Sequence, residues 1–326
     1  MVKRDHGGNL DAAKAEYGPM TGGWVDLSTG INRRPYPLPA LSSEAFTALP
    51  SAHAQEALIA AAARAYGVKP ARVLPLAGAQ SAIQLYPRLR EPGDARVIRP
   101  TYNEHAASLI AQGWTLQNVE GLQALHGADL AVVVNPNNPD GRSWSPEAMQ
   151  NLAKRVGLLV VDESFADPHP ELSVAASAPD NVLVLRSFGK FYGLAGLRLG
   201  FILGAPEMLA RLREWAGPWS VNGPALEVGT KALTDKDWQA SSTARLGEDA
   251  ARLDAMAERA GWILVGGTAL FRSYATPDAE ATQVHLAKRG IWSRRFPYSQ
   301  TWIRLGLPDG AEWSRVEQAL SEWRPA

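Results

Sequence analysis

The stretch Arg186-Ser187-Phe188-Gly189-Lys190 sets a hydroxyl and an amine three residues apart, and Gly193, Gly196 and Arg198 follow it. The apolar run 182–185 before it reads as a buried strand. Ligands of open α/β sheets bind at the carboxyl ends of strands. An ammonium is strongly hydrated, and a lysine that is buried loses its proton more readily. Such a lysine attacks an aldehyde and forms a Schiff base. For this short stretch alone, an exposed loop lysine is the simpler reading. The rest of the chain adds features that bear on the choice.

Gly78-Ala79-Gln80-Ser81 opens a predicted helix, and N–H groups at a helix start bind anions such as phosphate. Asn138 lies in Asn137-Asn138-Pro139-Asp140-Gly141, a composition that also suits plain turn chemistry. Asp162 ends a run of Leu, Leu, Val and Val, where a lone buried carboxylate is costly unless it is paired. Arg198 offers a planar fork for a phosphate. One ligand uses all of these at once, pyridoxal 5′-phosphate. Its aldehyde needs a lysine (Lys190), and its pyridine nitrogen needs a carboxylate (Asp162) that keeps it protonated. Its 3′ oxygen needs a donor (Asn138). Its phosphate needs a helix start, a hydroxyl and an arginine: Ala79, Gln80, Ser187 and Arg198.

The elements that must position these groups alternate. Strands are predicted over 72–76, 95–98, 115–119, 130–134, 157–161, 182–185 and 199–203. Helices are predicted over 53–66, from 79 to about 86, through 111, and from the cap Ser145-Pro146-Glu147. This alternation predicts βαβ units and a mostly parallel sheet. From about residue 224 the pattern changes. Helices near 224–234, 238–260 and 278–288 and one after 309 mix with strands over 262–265, 268–274, 291–294 and 301–305, which suits a smaller α+β domain. Residues 1–40, rich in Gly and Pro, form an N-terminal arm assigned to that small domain. The large cofactor-binding domain is expected over 41–223 and the C-terminal part over 224–326.

The 326 residues are 46% hydrophobic, enough for a sizeable core. Thirty-three basic residues balance thirty-three acidic ones, so charge gives no reason to expect nucleic acid or an anionic membrane as partner. Without cysteine there is no disulfide, thiolate catalysis or cysteine–metal site, and six scattered histidines show no metal-ligand spacing. The N-terminal residues lack the apolar centre of a signal peptide, and no apolar run reaches the length of a membrane span. The expectation is a cytoplasmic protein.

The order Gly-x-x-Gln, Asn-Asn-Pro-Asp-Gly, Val-Asp-Glu-Ser-Phe, Ser-Phe-Gly-Lys and Gly-Leu-Arg-Leu-Gly resembles the class I/II aminotransferases, fold type I pyridoxal-phosphate enzymes. His6-Gly7-Gly8-Asn9, Ser28-Thr29-Gly30-Ile31-Asn32 and Trp302-Ile303-Arg304-Leu305-Gly306 resemble the cobalamin-biosynthetic threonine-phosphate decarboxylase branch. The resemblance implies the fold type I transferase architecture. It makes Lys190 and Asp162 the catalytic pair and assigns Asn138, Ser187, Arg198, Ala79 and Gln80 to the cofactor. It places Arg304 at the substrate carboxylate and Arg294 at a substrate phosphate, with His6 and Asn32 as further phosphate contacts from the arm.

Three positions depart from the family pattern. Phe165 stands where a tyrosine usually meets the 3′ oxygen. His105 stands where an aromatic ring stacks on the pyridine; it is read either as that ring or as a solvated residue, and Tyr102 as core. Leu49 stands where a neighbouring subunit's tyrosine reaches the cofactor phosphate. The implied activity is decarboxylation of L-threonine O-3-phosphate by a homodimer. The alternatives are an aminotransferase of the histidinol-phosphate type and a non-catalytic subunit that keeps the cofactor fold.

Overall fold

The apolar runs become the centre of a seven-stranded sheet in the computed structural model, which describes residues 6–324. Across the sheet the order is Val73–Leu76, Gly200–Leu203, Val182–Ser187, Leu158–Asp162, Leu130–Val134, Asp94–Ile98 and Thr115–Val119. Gly200–Leu203 pairs antiparallel with both neighbours; the other pairings are parallel. Leu130–Val134 and Leu158–Asp162 are buried at every residue, as parallel strands covered on both faces must be. The edge strand Thr115–Val119 is half exposed, which suits its polar Thr, Gln and Asn. Helices Ala79–Leu85, Asn103–Ala111 and Pro206–Ala216 contribute Ala82, Ile83, Leu109, Leu209 and Leu212 to the core on this sheet.

The chain divides into two units. The large unit comprises residues 35–138 and 142–239 and holds this sheet. The small unit comprises residues up to 34, 139–141 and from 240 on. It holds an antiparallel sheet ordered Arg294–Phe296, Ser299–Gly306, Phe271–Ala275, Ile263–Thr268, and a parallel pair of Val25–Asp26 with Ile291–Trp292.

Two predicted strands of the small unit are divided. The run 268–274 is broken because Thr268 Oγ1 accepts from the Leu270 amide at 3.1 Å, turning the chain between Ile263–Thr268 and Phe271–Ala275. The run 291–294 supplies two strands to two different sheets, Ile291–Trp292 and Arg294–Phe296, with buried Ser293 between them. A further helix, Leu10–Tyr17, lies in the arm. Asn9 caps it by accepting from the Ala12 amide, and Gly18 ends it at φ 78°. No described helix is long and apolar enough to cross a membrane.

Candidate active site

The carboxyl ends of the parallel strands converge on one cavity in the large unit. Gly78, Ala79 and Gln80 reach it after Val73–Leu76, and Tyr102 after Asp94–Ile98. Asn138 follows Leu130–Val134, and Asp162, Ser164 and Phe165 come from the end of Leu158–Asp162. Ser187, Gly189, Lys190 and Arg198 complete the wall. Every residue expected to hold the cofactor lines this cavity except His105.

His105 has a different place. It is wholly buried, which rules out the solvated reading, and its Nε2 lies 2.9 Å from Asp162 Oδ2. Its Nδ1 is 3.1 Å from the hydroxyl of Tyr86. Burial, and secondarily the charge of Asp162, push the Tyr86 phenol well above its ordinary pKa, so it stays protonated. The two ring nitrogens are thus engaged at once, Nδ1 with the Tyr86 hydroxyl and Nε2–H as donor to the carboxylate. The aromatic side chains on the cavity wall are Phe165 and Tyr102, the hydroxyl of Tyr102 lying 3.4 Å from Gln80 Oε1.

Asp162 is 2% exposed. Burial alone would raise its pKa. The hydrogen bond and charge of His105, with the Ser164 hydroxyl and amide, outweigh burial and hold the carboxyl below its usual value. The cavity thus carries a fixed negative charge on its wall.

Arg198 is the one residue other than glycine with positive φ among the described residues, at 55°. A left-handed conformation in a side-chain-bearing residue is a strained state that the surroundings must enforce. Gly78 leaves room for its guanidinium: a Cβ on that residue would lie 2.7 Å from Arg198 Nη2. Gly200 does the same for the turn, since a Cβ there would lie 2.3 Å from the Ala79 nitrogen. The arginine fork is thereby brought against the first turn of Ala79–Leu85. The loop before Asn138 is also held: Asn137 accepts from Thr101 Oγ1 at 2.6 Å and donates to the Pro100 carbonyl at 2.9 Å.

Beneath the cavity, the residues next in sequence to Asp162 and Ser187 form a buried ion cluster. Arg186 donates to Glu163 at 2.8 Å and to Asp167 at 2.6 Å, and its guanidinium lies 4.5 Å from the Tyr66 ring centroid. Burial raises the pKa of Glu163 and Asp167, and Arg186 opposes that rise. Strand alternation sends these side chains to the face opposite Asp162 and Ser187. The cluster ties together the two strands that carry the cavity's chemistry.

The small unit assembles the remaining candidates. Arg294 and Arg304 are direct partners across adjacent antiparallel strands. Arg304 is 3% exposed and donates to the Ser28 carbonyl at 2.7 Å. The Gly8 amide donates to Ser28 Oγ at 2.7 Å, and the Gly306 amide to the Leu27 carbonyl at 2.7 Å. A Cβ on Gly7 would lie 2.2 Å from the Ser28 carbonyl oxygen and 3.5 Å from Arg294 Nη1. So the His6–Asn9, Ser28–Asn32 and Trp302–Gly306 stretches, far apart in sequence, pack together. Asn32 is buried and accepts from Arg245 Nη2 at 3.0 Å; His6 is exposed. Arg245, on the helix Lys236–Arg259, was not foreseen from sequence. Its spacing to Asp249 reads as an ordinary helix ion pair.

The residues present suit pyridoxal 5′-phosphate. A lysine and a buried carboxylate held ionised face one cavity, and a glycine turn leaves room for a strained arginine at its rim. The comparisons agree. The profile for aminotransferase class I and II matches residues 24–320. A threonine-phosphate decarboxylase of Pseudomonas aeruginosa is 43% identical over 97% of this chain and 97% of its own. One of a Sinorhizobium species is 44% identical over the same shares. The fold is also that of a histidinol-phosphate aminotransferase from Sinorhizobium meliloti solved with pyridoxal-5′-phosphate. That match has a TM-score of 0.80 at 22% identity and covers 96% of this chain and 93% of that one. With the cavity, the sheet order and the near full-length matches in accord, this chain belongs to the class I and II aminotransferase family.

Proposed function

We propose that the protein decarboxylates L-threonine O-3-phosphate to 1-aminopropan-2-yl phosphate, with pyridoxal 5′-phosphate as cofactor, as a step of cobalamin biosynthesis in the cytoplasm. When bound, the cofactor supplies an electron sink for the pair released at the amino acid's α-carbon. Asp162 keeps the pyridine nitrogen protonated, and His105 and Ser164 keep Asp162 ionised. Asn138 donates to the 3′ oxygen, and Tyr102 covers the ring. Ser187, Arg198 and the amides of Ala79 and Gln80 hold the phosphate. Lys190 would hold the cofactor's aldehyde carbon and would move a proton at the substrate's α-carbon.

The observation that carries the substrate class is the cross-strand pair Arg294–Arg304, set among the three packed stretches of the small unit. Two guanidinium forks suit a substrate with two anionic groups. Arg304 takes the carboxylate. Arg294, with Asn32 and His6, takes the phosphate.

The experiment is a direct competition. Cofactor-loaded protein receives L-threonine O-3-phosphate, or L-histidinol phosphate with 2-oxoglutarate. Carbon dioxide from the first and no glutamate from the second is the expected result. Glutamate formation without carbon dioxide release would replace this reading with transamination. If neither product formed, the non-catalytic reading would take its place.

The working form is a homodimer. Leu38, Phe46, Leu49 and Trp219, all on the large unit, are 56% to 68% exposed. Packing brings the segments that carry Phe46, Leu49 and Trp219 together. A Cβ on Gly223 would lie 2.1 Å from the Ala45 carbonyl, and Gln55 reaches the Pro218 carbonyl at 3.3 Å. Apolar exposure gathered this way marks a protein interface. Light scattering at the mass of two chains is expected; a fully active monomer would contradict it.

A further inference from the structure

Asn32 carries the buried amide at the end of the Ser28–Asn32 stretch and is 3% exposed. Its Oδ1 accepts from two donors, the backbone N–H of Arg34 at 3.1 Å and Arg245 Nη2 at 3.0 Å. The first contact alone is ordinary turn chemistry, an asparagine oxygen bonding the amide two residues on. The second comes from the helix Lys236–Arg259, 213 residues away in sequence. Both neighbours can only donate, so the atom between them must be the oxygen. An amide nitrogen there would set donor against donor in a buried place. The side chain therefore has one orientation, with Nδ2 as the end that can meet an anion.

Both donors are themselves held. Arg245 Nη1 donates to Asp249 Oδ2 at 3.1 Å, so the two ends of its fork reach a carboxylate and an amide at once. The chain that carries the Arg34 amide is tied down on either side. Arg33 Nε donates to Glu312 Oε2 at 2.7 Å, and Arg34 Nε to Asp309 Oδ1 at 2.6 Å. Every residue of this network belongs to the small unit.

We propose that Arg245 is a positioning residue for the substrate phosphate: it turns the Asn32 amide so that Nδ2, a donor, and not Oδ1, an acceptor, is presented to the phosphate monoester. The inference rests on the assignment of Asn32 to that phosphate. A phosphate dianion offers strong acceptor oxygens, so a reversed amide would repel what this one binds. Arg245 acts through Asn32, not through a contact of its own with the substrate. Asn32→Asp separates the two ends of the amide. It keeps an oxygen for both donors and puts a negatively charged oxygen in place of Nδ2.

The test uses the full-length, cofactor-loaded protein and two amines with no carboxylate to lose, 1-aminopropan-2-yl phosphate and 1-aminopropan-2-ol. Affinity for each is read from the change in cofactor absorbance, and the ratio isolates what the phosphate adds. Asn32→Asp is expected to lower that ratio about 10- to 100-fold, the worth of a charge-assisted contact, while Tm is kept. Arg245→Met is expected to lower it about 3- to 10-fold, and to lower it no further in an Asn32→Ala background. Should Arg245→Met fail to fold, Arg245→Lys keeps the charge and loses the fork. Measured in the same two backgrounds, it should lower the ratio only where Asn32 is present.

An unchanged ratio in Asn32→Asp, or in the Arg245 variant, would overturn the proposal. So would a fall on changing Arg245 that persists in Asn32→Ala, since the arginine would then act on the phosphate directly. A wild type that binds both amines equally would remove the phosphate assignment of Asn32 and the proposal with it. Carbon dioxide release from L-threonine O-3-phosphate would still judge the decarboxylase reading separately.

Discussion

His105 Nε2 lies 2.9 Å from Asp162 Oδ2, and neither residue is more than 2% exposed. This bond decides what the cavity can do, because a carboxylate so buried stays ionised only while donors outweigh its desolvation. Its effect on pH dependence has a definite sign. A carboxylate whose folded pKa lies below its unfolded value adds stability above the unfolded value, about 3.9 for Asp, and that stability is lost as pH falls through the folded value. Without His105, burial dominates and the pKa of Asp162 rises. His105→Phe is therefore expected to cost about 1.5–3 kcal/mol near neutrality and to move the acid limb of the Tm–pH curve to higher pH. An acid limb that stays in place would contradict the role given to His105.

The Gly78–Arg198 contact gives a second prediction. A Cβ at 78 would sit 2.7 Å from Arg198 Nη2, on a backbone with φ 80°. Gly78→Ala must either displace the arginine or strain the turn, at about 1–3 kcal/mol. Cofactor affinity measured by equilibrium dialysis is expected to fall about tenfold or more. The large-unit sheet should be unaffected, with an unchanged far-ultraviolet circular dichroism spectrum.

Arg186 serves stability rather than chemistry. Its two acidic partners are almost fully buried, Glu163 at 0% and Asp167 at 8% side-chain exposure. Arg186→Met leaves those carboxyls without their cation, and removing one partner of a buried pair costs about 3–5 kcal/mol. Urea denaturation is expected to show a loss of that order. Arg186→Lys, which keeps the charge and loses the two-pronged geometry, should fall between.

Arg304 is expected to act on binding. Arg304→Lys keeps a positive charge but loses the planar fork and the geometry of its bond to the Ser28 carbonyl. Loss of a charge-assisted contact of about 1.5–3 kcal/mol implies that KM for L-threonine O-3-phosphate rises about tenfold or more. Affinity for pyridoxal 5′-phosphate should be unchanged. A change confined to cofactor affinity would contradict the assignment.

The sequence is most legible where local pattern and global role coincide. Leu130–Val134 is five apolar, mostly β-branched residues bounded by turn formers, as a covered parallel strand requires, and its limits match the expectation. Thr115–Val119 also matches, although it lies at the sheet edge. Leu10–Tyr17 gave no signal because only Ala13 of its eight residues is buried, so it shows no apolar stripe. The site divides in the same way. Lys190, Asp162, Asn138, Ser187 and Arg198 sit in short motifs whose residue types announce chemistry. Tyr86 and His105 are 19 residues apart on different helices, and nothing local predicts that they meet. The Tyr102-Asn103-Glu104-His105 stretch shows that a ring is near the cavity but not which ring faces it. The start of the helix Asn103–Ala111 decides that, leaving Tyr102 outside its first turn and His105 within it.

The most direct test of the central claim is a stoichiometry. Cofactor-loaded protein is given L-threonine O-3-phosphate labelled with ¹³C in the carboxylate, and labelled carbon dioxide and 1-aminopropan-2-yl phosphate are counted, alongside Lys190→Ala. Equal amounts of both products over many turnovers by wild type, with turnover abolished in Lys190→Ala, is the predicted result. Label retained in the substrate-derived product, or undiminished turnover without Lys190, would contradict the account.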